Sequence, residues 1–152
     1  MNLLIQRLHP QHTLTFFPHI LFVNNITGNV PSYFSFHIGK VRQDDGSFSM
    51  ADVMIAANDC AENDANVISL AISCLEDKSN RGCYKDVWRK QFEDIYNQGI
   101  LIIGSAGNTG SESMEFPGAY PTVVSVSAVY ENMSWFEEST WNDQVEIAAP
   151  GV

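Results

Sequence analysis

The sequence contains few basic residues, and this shortage argues against a nucleic-acid partner. Lys and Arg number 8 and Asp and Glu number 18 among 152 residues, which gives a formal net charge of −10 at pH 7. A protein that binds the phosphate backbone of nucleic acids needs a positively charged surface. Five of the eight basic residues lie between Lys78 and Lys90, among acidic residues, and they form no separate basic run. We therefore expect no nucleic-acid partner.

Long apolar runs are also missing. None of them reaches the roughly 18 residues that a membrane-spanning helix needs, so we expect no membrane span. A secretory signal combines a basic start, a continuous apolar centre and a cleavage site of small residues. The run Leu14–Val23 has no basic start, contains Pro18 and His19, and is followed by Asn24 and Asn25. The sequence therefore shows no clear signal peptide, and by itself it leaves the location unknown.

Cysteine is scarce, and the odd number of three leaves at least one residue unpaired within the chain. Cys60 falls on the apolar face of a predicted helix, where we expect a small core residue. Cys74 and Cys83 bracket the short polar segment Leu75–Gly82, which a disulfide could close if the two Cα atoms come close enough. Spacing alone does not establish pairing, so both states stay open. No second pair of Cys or His has the spacing of zinc ligands, and we assign no metal.

The composition is that of a globular protein, with 45% apolar and 17% charged residues. The length suits one domain or a piece of a larger one. Apolar runs typical of strands covered on both faces alternate with amphipathic helices. The predicted order is strand Tyr33–Ile38, a helix capped by Ser49, strand Val67–Ile72, a helix with its apolar face at Tyr84, Val87, Trp88, Phe92, Ile95 and Tyr96, a Gly99 cap, and strands Ile100–Ile103, Val123–Val129 and Val145–Ala148. This alternation predicts an α/β fold, a three-layer parallel sheet flanked by helices.

Ligands of such sheets bind at the carboxyl ends of the strands, where Ala71–Ser73 and Gly104–Gly110 lie. The second segment holds three glycines, and a dinucleotide-binding loop is one interpretation, with Glu131 about 20 residues on as a ribose-binding acid. That mechanism needs a helix to begin at the loop. The sequence 111–118 contains two acids and a Pro-Gly pair, so NAD or NADP binding is a distant alternative.

The same loop also fits an oxyanion hole. An amide side chain on a tight glycine turn can aim its N–H at a developing negative oxygen, and Asn108 is the candidate donor, with Gly107 allowing close approach. A purely structural alternative is a turn in which Asn108 adopts a left-handed conformation. The loop alone does not decide between the two.

The neighbouring segments form an ordered set that resembles the middle of a subtilisin-like serine protease (subtilase) catalytic domain. The family's Ala-Gly-Asn-x-Gly and Ala-Pro-Gly recur at similar spacing, and Tyr-Pro-Gly-x-Tyr-Pro recurs with Phe116 in place of the first Tyr. The matching segments are Tyr33–Lys40, Asp44–Ser47, the helix from Ser49, Ala65–Ala71, Gly99–Gly110, Phe116–Val126 and Val145–Val152. The resemblance covers residues 30–152, whereas residues 1–29 match nothing and are left unassigned, as a leader that need not be ordered.

The resemblance implies roles for seven residues of the two strand ends. Asn108 becomes the oxyanion-hole amide, Ala71, Ile72 and Ser73 pair with an extended substrate, and Ser105, Ala106 and Gly107 wall the pocket for the residue before the scissile bond. The family usually has Ser-Leu-Gly where this chain has Ala71-Ile72-Ser73. The backbone around Gly118, Tyr120 and Val123 matches a weak cation loop of some members. Carbonyls alone do not identify calcium, so we assign no cofactor.

The catalytic triad is missing from these residues. The family carries its acid, base and nucleophile in Asp-Thr-Gly, His-Gly-Thr-His and Gly-Thr-Ser-Met-Ala, and none of these motifs occurs here. His37 alternates within an aromatic strand, where we expect a packed residue. We therefore expect part of a serine endopeptidase domain, truncated at both ends and inactive alone, whose complete form takes peptide or protein substrates. A non-catalytic peptide-binding pseudoprotease is the alternative. The family favours an extracellular location.

Overall fold

The computed structural model describes residues 3–8, 34–41, 47–75 and 82–151, and the predicted turn at Asp44–Gly46 lies outside them. The described residues form two helices and eight strands, in the α/β arrangement that the sequence predicts. In chain order these are β1 (Leu3–Leu8), β2 (Phe34–Gly39), α1 (Met50–Glu62), β3 (Val67–Leu70), β4 (Cys74–Leu75), α2 (Asp86–Tyr96), β5 (Leu101–Ser105), β6 (Glu115–Phe116), β7 (Val124–Val129) and β8 (Val145–Pro150).

Six strands form the central sheet in the order β2-β1-β3-β5-β7-β8. The strands β3, β5, β7 and β8 run parallel, as predicted. β1 differs, because it pairs antiparallel with both β2 and β3 and makes the sheet mixed on that side. Sequence reasoning assigned no structure to residues 1–29. The hexapeptide of β1 contains no regular alternation that would have indicated a strand.

The first helix begins where its capping signal places it. The Ser49 side chain accepts a hydrogen bond from the Asp52 N–H at 3.1 Å, and the Ser49 hydroxyl donates to the Asp52 carboxylate at 2.8 Å. This reciprocal pairing satisfies a backbone donor that the first turn would otherwise leave open. The predicted apolar face is confirmed, and its buried members are Met50, Val53, Met54, Ala57 and Cys60.

The second helix carries the chain between the parallel strands β3 and β5. Its predicted apolar face is only partly buried. Phe92 and Ile95 are buried, whereas Val87 and Tyr96, together with Tyr84 before the helix, are 40–53% exposed. The helical spacing is real, but among the described residues nothing covers the outer part of this face.

The two faces of the sheet are covered unequally. By strand register, Ile68 lies beside Ile102, and both join one apolar cluster with residues of α1 and α2. The opposite face carries Val67 beside Leu101, which is 43% exposed. Both described helices therefore contribute to the same layer, and the second helical layer of a three-layer arrangement is not among the described residues.

A second, two-stranded sheet forms beside the cavity described below. β4 pairs antiparallel with β6, and a disulfide joins Cys74 in β4 to Cys83, with their Cα atoms 5.6 Å apart. The Tyr120 hydroxyl donates to the Cys83 carbonyl at 3.1 Å and ties this corner to the core. Cys60 is free and fully buried, as predicted. Within the described residues, neither helix has the length and apolar character needed to cross a membrane.

Candidate functional site

A cavity of about 500 Å³ lies at the carboxyl ends of the four parallel strands. The residues that line it come from β3, β5, β7 and β8, from the residues directly after them, from the glycine loop (residues 104–110) and from the segment between β7 and β8. They are Ser69, Leu70, Ala71, Ile103, Gly104, Ser105, Gly107, Asn108, Val126, Ser127, Ala128, Ser139, Ala149, Pro150 and Gly151. Four of the seven predicted site residues are in this set. The cavity thus joins Ala71 to Ser105, Gly107 and Asn108, which are more than 30 residues away in the sequence.

The other three predicted site residues surround the cavity without lining it. Ile72 and Ala106 are buried, and Ser73 is half-buried directly before β4. Residues 71–73 follow the end of β3 and, among the described residues, belong to no strand pairing. Their backbone therefore continues a sheet strand while remaining outside the ladder, which is the condition for adding an extended peptide.

The glycine loop is shaped by its glycines and leaves Asn108 in an ordinary conformation. Gly107 has φ +114° and Gly110 has φ +61°, both in the region that side chains rarely adopt. Among the described non-glycine residues only Asp64 and Met133 have positive φ. The turn therefore does not require Asn108 to adopt a left-handed conformation. The purely structural alternative explained the asparagine by that conformation, and it loses this basis.

Hydrogen bonds on both sides of Asn108 hold its backbone. The Ala106 N–H donates to the Val126 carbonyl at 2.9 Å, and the Thr140 N–H donates to the Gly107 carbonyl at 3.1 Å. On the other side, the Thr109 N–H donates to the Thr140 hydroxyl at 2.9 Å. The Asn108 side chain is exposed and, within the described part of the chain, forms no hydrogen bond of its own. Its amide remains available to a ligand while its position is held.

A carboxylate lies directly against the loop. Glu115, in β6, is 4% exposed, and a Cβ atom built on Gly107 would overlap its carboxylate. The Thr140 hydroxyl, itself fully buried, donates to Glu115 Oε1 at 2.5 Å. Sequence reasoning found neither residue. Both residues stand out only because they are polar and buried, and their burial cannot be seen in the sequence.

The dinucleotide alternative fails in the structure. The stretch from 106 to 123 contains bends, turns and the two residues of β6, and no helix begins after Gly110. Without a helix N-terminus the loop lacks the dipole and the row of N–H groups that hold a pyrophosphate. Glu131, the candidate ribose-binding acid, lies in an exposed turn.

A second group of polar residues forms away from the cavity. His37 is half-exposed and lies 2.6 Å from the Asp59 carboxylate, which corrects the expectation of a packed strand residue. Potential ligand atoms of His37, Asp59 and Cys60 all lie within 4.8 Å of one another. Burial, with the Asp59 charge as a smaller cause, raises the pKa of the Cys60 thiol to about 12. A metal ion would have to displace the proton of this thiol, and three potential ligand atoms alone do not identify an ion, so we assign none.

The segment that matches a cation loop also identifies no ion. Gly118, Tyr120 and Val123 are all buried, and the Tyr120 carbonyl accepts the Val123 N–H at 3.0 Å within the turn. A calcium site is typically completed by several carboxylate or carbonyl oxygens. These three residues do not select calcium, and the cofactor assignment is unchanged.

Comparison with known proteins agrees with the geometry. The chain matches the Subtilase family over residues 20–152. It is 33% identical over 119 residues to the thermostable alkaline protease of Halalkalibacterium halodurans, covering 74% of this chain and 29% of that protein. It is 31% identical over 134 residues to the thermophilic serine proteinase of Bacillus sp. strain AK1, covering 85% of this chain and 31% of that protein.

A solved structure gives the same result. The psychrophilic subtilisin-like protease of the Antarctic psychrotroph Pseudoalteromonas sp. AS-11 superposes with a TM-score of 0.64 at 32% identity, covering 74% of this chain and 24% of that one. The present chain therefore spans less than a third of the length of these relatives.

Proposed function

Because this chain belongs to the subtilase family of serine proteases, we propose that it supplies the oxyanion hole and part of the peptide groove of a subtilisin-like serine endopeptidase. The observation that carries the proposal is the cavity at the carboxyl ends of the parallel strands. It brings the exposed amide of Asn108 to the same space as the backbone that begins at Ala71, which pairs with no strand among the described residues.

The chemistry assigned to these residues follows from their types and positions. When a nucleophile attacks a peptide carbonyl, the oxygen becomes negative, and a fixed N–H stabilises it most in the transition state. Asn108 offers such a donor on a loop that hydrogen bonds hold in place. The backbone of residues 71–73 binds the substrate as an added strand, which aligns the scissile bond with the amide.

The nucleophile, base and acid are not supplied by the motifs of these 152 residues. Asp-Thr-Gly, His-Gly-Thr-His and Gly-Thr-Ser-Met-Ala are all absent from the sequence. A serine without an adjacent base is a weak nucleophile. We therefore propose that the chain by itself does not hydrolyse peptides, and that proteolysis needs a complete domain.

A probe of active serines tests this directly. The purified chain is incubated with a fluorophosphonate and, separately, with casein, beside an active subtilisin as a positive control. We expect no labelled serine and no cleavage. Stoichiometric labelling of one serine would show that the chain contains a working nucleophile and would overturn the proposal.

The absence of all three triad motifs also supports a second candidate, a pseudoprotease that binds peptides without cleaving them. The two candidates differ in the sequence that flanks the chain in its gene. Intact triad motifs on both sides would indicate a segment of a protease. Stop codons or substitutions at those motifs would favour the pseudoprotease.

The proposed location is outside the cell. The Cys74–Cys83 disulfide supports it, because such bonds persist in oxidising compartments and are rare in the cytosol. Counting free thiols in protein isolated from its source under alkylating conditions tests this. One thiol per chain, from Cys60, is expected, whereas three would contradict the proposal.

A further inference from the structure

The carboxylate of Glu115 occupies the space that the missing side chain of Gly107 leaves open. A Cβ on Gly107 would overlap both carboxylate oxygens of Glu115. Any group that packs against the Cα atom of Gly107 from this side must therefore meet that carboxylate. In the proposed function, this group is the side chain of the residue before the scissile bond.

Strand pairing places Glu115 between both sides of the proposed groove. β6 pairs with β4 so that Glu115 lies opposite Leu75, and β4 begins directly after Ser73. One side of Glu115 thus adjoins the continuation of the peptide-binding backbone, and the other adjoins the wall formed by Ser105–Gly107. Glu115 itself is not among the residues that line the cavity, but its carboxylate lies directly behind Gly107, which is one of them.

The carboxylate also has few partners of its own. The Thr140 hydroxyl donates one hydrogen bond to it, and none of the ion pairs between described residues includes Glu115. A carboxylate has room for about four hydrogen bonds. A buried charge without a cation is costly, and an apolar side chain placed against it would add to that cost.

We propose that Glu115 makes this pocket select a basic side chain, Arg or Lys, at the residue before the scissile bond. The inference rests on the proposed function and deepens it by naming the substrate class. A guanidinium or ammonium group would supply the missing charged donors, with Arg able to bind both oxygens at once. The net charge of −10 also favours the approach of a basic peptide.

Peptide binding to the complete 152-residue chain tests the inference without requiring catalysis. Two fluorescent tetrapeptide amides, identical except for Arg or Leu at the last residue, are titrated at low ionic strength and followed by anisotropy. We expect the Arg peptide to bind at least tenfold more tightly. A third peptide with citrulline, the neutral isostere of Arg, is expected to lose that advantage.

The variant Glu115→Gln keeps the shape of the side chain and can still accept the Thr140 hydrogen bond. We expect it to reduce the preference for Arg over Leu to about one. Glu112→Gln is the matched control, because Glu112 is an exposed acid three residues away and should leave the preference unchanged. If Glu115→Gln does not fold, a tetrapeptide amide of the same charge, with Arg first and Leu last, is compared on the unaltered chain. The net charge of −10 attracts both Arg peptides, and only a local acid prefers Arg at the last residue.

The outcomes separate this inference from the proposal beneath it. Equal binding of the Arg, citrulline and Leu peptides would overturn the role of Glu115 and leave the groove intact. An Arg preference that survives Glu115→Gln would also overturn it. If none of the peptides binds, both the inference and the proposed peptide groove are wrong.

Discussion

The helix-covered face of the sheet and the cavity at its strand ends bury different kinds of side chain. The first is built from apolar residues of both helices and of the strands, including Met54, Phe92 and Ile102. Around the cavity, the glycine loop is held by buried Thr140, and Glu115 is buried beside it. Apolar contacts provide stability without fixing one hydrogen-bonding geometry. Polar contacts have directions, and a catalytic donor needs a fixed direction.

The comparison predicts that changes at the two regions separate activity from stability. The largest effect is expected for Asn108→Leu in a chimera that adds the flanking catalytic motifs of a complete relative. It should lower kcat by two to three orders of magnitude, about 2.7–4 kcal/mol, with KM and stability little changed, because only the transition state needs the donor. This decrease in kcat is the one known for loss of the oxyanion-hole donor in subtilisin itself. Steady-state kinetics and thermal unfolding measure the two quantities.

Asn108→Gly sharpens that result. Glycine keeps the loop conformation available but donates no side-chain hydrogen bond. We expect kcat to fall as far as in Asn108→Leu. A folded Gly variant with nearly full kcat would contradict the oxyanion role.

The two faces of the sheet should respond unequally to the same substitution. Ile102→Ala leaves a cavity in the helix-covered core and is expected to lower the free energy of unfolding by about 2–5 kcal/mol. Leu101→Ala, on the neighbouring residue, is expected to cost less than about 1 kcal/mol, because that side chain is 43% exposed. Chemical denaturation measures both. Equal losses would mean that the second face is covered as well as the first.

The disulfide should contribute slightly less than the core substitution. It joins residues nine apart, and the chain-entropy relation for a loop of this length gives about 2.5–3 kcal/mol. Reduction of the native chain is expected to lower the free energy of unfolding by that amount. The double variant Cys74→Ser/Cys83→Ser should unfold at the same denaturant concentration with and without reductant. A reductant effect in the double variant would assign the loss to another cause.

Two glycines with positive φ differ in their surroundings and form a matched pair. Gly99 has φ +84°, and apart from its chain neighbours no atom of the described residues lies within 4 Å of an added Cβ. Gly99→Ala should therefore cost only the backbone strain, about 1 kcal/mol. Gly107→Ala adds overlap with Glu115 and should cost about 2–3 kcal/mol in unfolding experiments. Removing the carboxylate in Gly107→Ala/Glu115→Ala should recover part of the difference. Full additivity of the two changes would argue against contact between these residues.

The smallest effect at neutral pH concerns Cys60 in the apolar region. Its thiol stays protonated in the folded chain, because burial raises its pKa to about 12, whereas the unfolded thiol titrates near 9. The buried protonated thiol therefore contributes fully to the free energy of unfolding below about pH 9, and this contribution is lost as the pH rises towards 12. Alkylation by iodoacetamide at pH 8 is therefore expected to be slow in the folded chain and fast in denaturant. Rapid alkylation of the folded chain would show that Cys60 is accessible.

Much of the fold could be predicted because its signals are local. The Ser49 cap and the spacing of Met50, Val53 and Met54 predicted helix α1 and its buried face. The apolar runs predicted β3 and β5 within one or two residues. β1 was not predicted, because its pairing with β2 and β3 depends on partners about 30 and 60 residues away. The exposure of Val87 and Tyr96 likewise depends on what packs outside α2, which helical spacing does not report.

For the site, the sequence by itself determined the glycine loop, its asparagine and the ordered motifs that mark the family. These are properties of residue type and local spacing. Only the tertiary structure decided that Asn108 has no role as a left-handed residue, that Thr140 holds the loop, and that Glu115 fills the space beside Gly107. The physical reason is distance along the chain. Glu115 gains Leu75, Gly107 and Thr140 as neighbours only when the chain folds, and no pattern of consecutive residues specifies those contacts.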